Sequence, residues 1–207
     1  VEVRAGPLDA ATFDAALRAY RLAYDAEHGG FGSAPKFPRT SDLFFLLRLH
    51  ARTGDKEALE MASRTLRGMA EGAICDRIGG GFHRYTTDAA WKNPHFEKML
   101  YDNAQLASVY LEAYQVTGSS AFARPPRETP DYLLRDLALP RGGFASAEDA
   151  DADFYSLPSA EARAGRARPF RDDKVLSGYN GLAISALAKG ARILTEPRYL
   201  LAAENTA

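Results

Sequence analysis

Gly79-Gly80-Gly81-Phe82-His83-Arg84-Tyr85-Thr86-Thr87-Asp88-Ala89-Ala90-Trp91-Lys92-Asn93-Pro94, continued by His95-Phe96-Glu97-Lys98-Met99-Leu100-Tyr101-Asp102-Asn103-Ala104-Gln105-Leu106, holds two of the four histidines and the only tryptophan of the chain. Its opening Gly-Gly-Phe occurs three times, at 29–31, 80–82 and 142–144, offset by 51 and then 62 residues. Each copy follows a helical pattern and precedes a polar loop, so the period is that of a repeated helical hairpin. The pairs of glycines read as helix ends in the left-handed conformation, with the Phe packing back on the last turn.

Around these punctuation marks the apolar residues recur at helical spacing. Helices are expected over 9–28, from Ser41 or Asp42 to Gly54, from Asp55 toward Gly79, from Asn93-Pro94 to about Gly118, in a short piece over 132–137, from Asn180 to Leu194, and from Tyr199. Pro125, Pro126 and Pro130 are expected to break the chain ahead of the short piece. No segment alternates for long enough to form more than a short hairpin, so the fold class is all-α. In an array of antiparallel helix pairs every second connection falls on one edge. The loops 32–40, 83–94, 145–153 and 168–180 are therefore expected to share a rim, and the rim is where a site belongs.

Composition narrows the partners. With 26 basic and 27 acidic residues there is no basic stripe, which argues against nucleic acid and anionic membrane. No apolar run reaches membrane-spanning length, and Val1-Glu2-Val3-Arg4 is no signal peptide. The single Cys75 excludes an internal disulfide and fits a cytoplasmic setting; near the end of an apolar helix it reads as core. The missing initiator Met is read as the mark of a fragment.

Several clusters carry candidate chemistry. His83, His95 and Glu97 are acid–base candidates because imidazole titrates near neutrality. Beside them Arg84 and Trp91 supply a cation and an aromatic plane for a polar ring. Asn103 falls on the apolar face of its helix, where it either holds a loop or faces a ligand, while His95, Lys98, Asp102 and Gln105 form a polar face with a Lys98–Asp102 pair. In Glu148-Asp149-Ala150-Asp151-Ala152-Asp153 the start of a calcium loop fails at Phe154 and Ala160, where glycine and glutamate are required. Paired carboxylates there suit acid–base division or sugar hydroxyls. Arg171-Asp172-Asp173-Lys174 reads as an ion-pair knot, with Asn180 capping the following helix or, with Tyr179, lining the rim.

GGFGSAPKFPRTSDL, DRIGGGFHRYTTDAAW, PHFEKMLYDNAQL, GGFASAEDADAD and RDDKVLSGYNGLAISALA resemble the helical domain of thioredoxin-domain-containing proteins related to spermatogenesis-associated proteins, over most of Gly29 to Leu194. That domain is similar to the (α/α)6 toroids of N-acylglucosamine 2-epimerases and six-hairpin glycosidases. The family's N-terminal thioredoxin-like domain, with its redox motif, is not in this sequence. After Phe154-Tyr155 the family continues with a Trp-Thr pair and a long segment that this chain lacks, and Tyr179 stands where the family has Trp. A six-hairpin ring at this period needs more than about 300 residues, so residues 1–207 are read as one incomplete toroid domain of about four hairpins.

The resemblance implies a carbohydrate-binding or carbohydrate-modifying domain with a central funnel, sugar epimerase-like or glycosidase-like, without a cofactor or metal. His83, His95, Glu97 and Asp149 are then the expected catalytic residues; Lys36, Arg84, Trp91, Asn103, Glu148, Tyr179 and Asn180 are the expected ligand contacts. The alternative is a non-catalytic interaction module beside a thioredoxin-like domain. A third reading places a metal on Asp149, Asp151 and His95.

Overall fold

A computed structural model describes residues 10–207. The expected start of the first helix at residue 9 and the Val1–Arg4 stretch lie outside the described residues. Among the described residues there are nine helices: α1 (Ala10–Ala23), α2 (Thr40–Thr53), α3 (Lys56–Glu71), α4 (Leu100–Thr117), α5 (Pro125–Tyr132), α6 (Ala152–Tyr155), α7 (Ala160–Ala164), α8 (Ser177–Leu194) and α9 (Pro197–Thr206). With 58% of residues helical, the all-α reading holds. None is long and apolar enough to cross a membrane.

The helices pack in two layers. In one, α2, α4 and α8 lie side by side; α3, α5 and α9 back onto them. Helix α4 joins the whole, since Leu106, Val109, Tyr110 and Ala113 enter the core built on α2 and α3 while Leu100, Ala104, Ala107 and Leu111 enter the core built on α5, α8 and α9. A helix apolar on both sides belongs inside.

The three Gly-Gly-Phe turns do not cap helices. Each is closed by an antiparallel bridge to the Phe, from Tyr24 to Phe31, Cys75 to Phe82 and Ala138 to Phe144. Both glycines of each pair have positive φ, between 71° and 90°, a region that side chains disfavour. Two of the turns share a further device. Asp25 Oδ1 accepts the N–H groups of Glu27 and His28, and Asp76 Oδ1 those of Ile78 and Gly79. The second oxygen of each takes a fully buried ammonium, Lys36 Nζ at 2.5 Å and Lys98 Nζ at 2.7 Å, which also donates to the carbonyl of Gly29 or Gly80.

Helix α4 begins at Leu100, six residues later than Asn93-Pro94 predicts. Residues 94–99 instead pair as strands: β1 (Tyr85–Thr86) with β2 (Pro94–His95), and β3 (Lys98–Met99) with β4 (Ala147–Glu148), which pairs in turn with β5 (Arg171–Asp172). A Lys36–Thr86 bridge and the Asp149 N–H to Phe170 carbonyl bond join the remaining loops, so the four loops do form one edge. Pro125 and Pro126 open α5 rather than break the chain, because the first turn needs no N–H there. A π-turn over Leu133–Leu137 continues it.

Asn103 and Asn180 have the same task. Asn103 Oδ1 accepts the N–H of Phe82 at 2.7 Å, and its Nδ2 donates to the carbonyls of Phe82 and Met99. Asn180 Oδ1 accepts the N–H of Phe144 at 2.8 Å, and its Nδ2 donates to Phe144 and Leu176. Both expected ligand contacts thus hold a Gly-Gly-Phe turn against the next helix, and Asn180 lies inside α8 instead of capping it. Each Ala variant leaves the buried N–H and C=O of the turn's Phe unpaired, so Asn103→Ala and Asn180→Ala are each expected to lose about 2–4 kcal/mol in urea unfolding. A loss under about 0.5 kcal/mol in either would contradict this role.

Candidate functional site

Strand alternation divides the chemistry of residues 94–97. Pro94 and Phe96 face one way, into an open cavity of about 490 Å³ with His83, Cys75, Arg77, Tyr155 and Arg163 on its walls. His95 and Glu97 face the other way, toward Tyr85 and Arg84. The expected catalytic histidines therefore serve different surroundings.

On the His95 side the contacts run without a break. The Phe37 ring stacks on Tyr85 at 4.7 Å, and Tyr85 stacks on His95 at 4.9 Å, its partner in the β1–β2 register. His95 Nε2 lies 3.9 Å from Glu97 Oε2, and Glu97 takes an N–H of Arg84 at 2.9 Å. Arg84 meets the Tyr101 hydroxyl, and the Tyr101 ring lies 4.9 Å from Tyr179 at the start of α8. Phe37 and His95 are both about 40% exposed in the side chain or residue, so the array is open to ligands.

Asp102 completes this rim, a residue the sequence pairs with Lys98. Lys98 is instead turned inward to Asp76, because it precedes the helix and sits on β3. Asp102 Oδ2 is buried without a hydrogen-bond partner. Burial pushes the Asp102 carboxyl up to about 7, with Arg84 and the Tyr101 hydroxyl opposing the rise and Glu97 adding to it. A carboxyl poised at neutrality in a half-open position is a mark of a functional site.

His83 is fixed differently. Its Nδ1 donates to the Phe96 carbonyl at 2.8 Å, which leaves Nε2 an acceptor, and the ring stands edge-on to Phe96 and Tyr155. Burial, with the Lys98 charge nearby, lowers its pKa to about 3. Such a ring does not exchange protons near neutrality. Asp149 is exposed and accepts the N–H of Ala150, with no contact to either histidine among those the described residues make.

Three expected ligand contacts are corrected by burial. Lys36 is the ammonium under the first turn. Trp91 is 1% exposed, donates to the His28 carbonyl, and fills a slot where a Cβ on Gly30 or Gly72 would come within 2.7 or 2.6 Å of it. Glu148 is buried and occupied by the Tyr155 hydroxyl and Arg168. Arg84 and Tyr179 remain on the rim. Asp149, Asp151 and His95 form no metal-ligating group among the described residues.

Below the rim lies a charged floor. Asp76 is gripped by Lys98 and by both oxygens' contacts with Arg163 Nη1, at 2.8 and 2.9 Å. Although burial opposes it, these cations and the turn N–H groups hold the Asp76 carboxyl well below the usual carboxylate range. Cys75, pushed up to about 11 by burial, is a core thiol.

No protein-family profile matches the chain. Over 133 residues, 62% of its length, the chain is 50% identical to spermatogenesis-associated protein 20 of Rattus norvegicus, and the match spans 17% of that protein. Among solved structures it is similar to cellobiose 2-epimerase from Spirochaeta thermophila, with a TM-score of 0.73 and 21% identity over 95% of this chain and 51% of that one. It is also similar to a family 76 glycoside hydrolase (mannosidase) from Bacteroides thetaiotaomicron, with a TM-score of 0.65 and 17% identity over 83% of this chain and 43% of that one. The motif resemblance therefore stands: over those 133 residues the chain is similar to spermatogenesis-associated protein 20, and its fold is that of the (α/α)6 toroid, at about half the length of the toroid chains.

The buried His83 gives a pH signature. In the unfolded chain a histidine takes up its proton below about pH 6.5, whereas folded His83 stays neutral down to about 3. Its contribution is complete above pH 6.5 and is lost as pH falls. Between pH 6.5 and pH 4 the native chain is expected to lose roughly 3 kcal/mol more than His83→Gln in urea unfolding, and equal losses would contradict its buried, neutral state.

Proposed function

We propose that the rim of Phe37, Tyr85, His95, Glu97, Arg84, Tyr101, Asp102 and Tyr179 binds a carbohydrate, and that His95 with Glu97 exchanges protons with it. The observation that carries this reading is the unbroken run from stacked aromatic rings to an Arg–Glu pair, on the loop edge of a toroid. Ring faces cover the C–H faces of a sugar, while Arg84 and Glu97 supply donors and acceptors for its hydroxyls. A half-exposed imidazole beside a carboxylate is suited to general acid–base work. The structural relatives named as cellobiose epimerase and mannosidase act on sugars, which is consistent with this class of ligand.

His83 and Asp149 drop out of the proposed chemistry, the first because it is buried and neutral, the second because its carboxylate stands apart on the surface. One observation favours the reading as an interaction module: Phe170 is 73% exposed, with Val175 and Leu176 also exposed a few residues on. A partner such as a thioredoxin-like domain would cover these side chains and leave the aromatic run free.

Thermal denaturation with D-mannose, N-acetyl-D-glucosamine and cellobiose tests the sugar reading. A ligand at a hundred times its Kd stabilises the folded state by about 2.7 kcal/mol. One sugar class is expected to raise Tm, and His95→Ala and Arg84→Ala to abolish the rise while remaining folded. Unchanged Tm across the panel would shift the assignment to the interaction module.

A further inference from the structure

We infer that Asp102 is the proton donor of this rim, a neutral carboxyl that gives a hydrogen bond, and in reaction its proton, to an oxygen of the bound sugar. The inference rests on the carbohydrate reading above and adds to it a residue and a direction of proton flow.

Asp102 lies in the first turn of α4, next to Tyr101, whose ring meets Tyr179 and whose hydroxyl meets Arg84. One carboxyl oxygen, Oδ2, is buried with no partner among the described residues, although the residue as a whole is half-buried. A carboxylate left in that position has an unsatisfied charged oxygen, whereas a carboxylic acid presents a donor and suffers far less from desolvation. Lys98, the cation that the helical spacing offers it, is bound to Asp76.

The charged groups around Asp102 fix when it changes state. From the segment 84–97 Arg84 faces it with a stabilising positive charge and Glu97 with a repelling negative one; from its own helix Tyr101 contributes its hydroxyl, and behind that Tyr179 packs from α8. Arg84 is itself paired to Glu97 and so is not a free counter-ion. The balance leaves the acid form substantially populated at neutral pH, which is the condition for a general acid.

The proton transfer balances between two residues. The O–H bond of Asp102 breaks, its electron pair stays on the carboxylate beside Arg84, and a new O–H bond forms on the sugar oxygen. On the other side His95 takes a proton from the sugar into its ring nitrogen lone pair, the pair of the broken bond remaining on the sugar. The net charge of the sugar is unchanged, no oxidant or reductant is needed, and the reverse transfer restores both residues.

Two measurements on the folded chain test this. The first is 13C NMR of protein labelled at the aspartate carboxyl carbons, titrated from pH 3 to pH 9, with Asp102→Asn identifying the signal. The second is the Kd of the stabilising sugar (D-mannose, N-acetyl-D-glucosamine or cellobiose) at pH 6 and pH 8. A midpoint near 7 for the Asp102 signal is expected, with a Kd that rises about tenfold from pH 6 to pH 8, since only the acid form is competent. In Asp102→Asn, whose amide keeps a donor, sugar binding is expected to persist and to lose this pH dependence. A midpoint near 4, or a Kd equal at both pH values in the native chain, would overturn the inference and leave the carbohydrate reading standing. Absence of binding by any of the three sugars at either pH, in protein whose Asp102 titrates near 7, would remove the carbohydrate reading and this inference with it.

Discussion

Two lysine ammonium groups buried beneath glycine turns set the frame on which everything else is hung. Stripping water from a Lys costs several kcal/mol unless a carboxylate and a carbonyl replace it in good geometry. Asp25 and Asp76 supply the carboxylate, Gly29 and Gly80 the carbonyl, and the spacing is the same in both turns. Each Asp also takes the two N–H groups of its own turn, so one side chain fixes both the turn and the ion. Because Lys36 and Lys98 begin the segments that pair as Lys36–Thr86 and Lys98–Glu148, anchoring the ammonium also sets the register of the rim strands. The third turn has Leu139 where the Asp would stand, and Asn180 locks it to the next helix.

That register is what separates the two histidines. With Lys98 inward, alternation sends Phe96 and Pro94 to the cavity beside His83, and Glu97 and His95 to the opposite side with Arg84 and Tyr85. A shift of one residue would exchange the two sets. One histidine thus becomes a fixed neutral acceptor and the other remains half-exposed beside a carboxylate, although they lie only twelve positions apart in the sequence.

The repeat was plain in the sequence because Gly-Gly-Phe is a local signal, and so was the common edge of the loops, which follows from the alternation of connections in helix pairs. The Asp-to-Lys pairing was not, since the lysine lies 11 residues after its Asp in one copy and 22 in the other and no fixed offset exists. The start of α4 was misplaced because Asn93-Pro94 is a good helix opening by itself; pairing of 94–99 with neighbouring loops overrode it. Extending the helix backward puts Lys98 and Asp102 on one face and hides the unpartnered Oδ2 of Asp102. Asn103 was recognised as needing buried partners, but only the fold shows that both it and Asn180 close turns.

On the proposed reading the ligand sits on the Phe37–Tyr85–His95–Arg84–Tyr101–Tyr179 run and not in the cavity beside His83. Amide chemical-shift mapping of 15N-labelled protein during titration with a bound sugar tests it most directly. Shifts concentrated at residues 37, 84–85, 95–97, 101–102 and 179 are the predicted result. Shifts concentrated instead around Cys75, Arg77, His83 and Tyr155, the walls of that cavity, would contradict it.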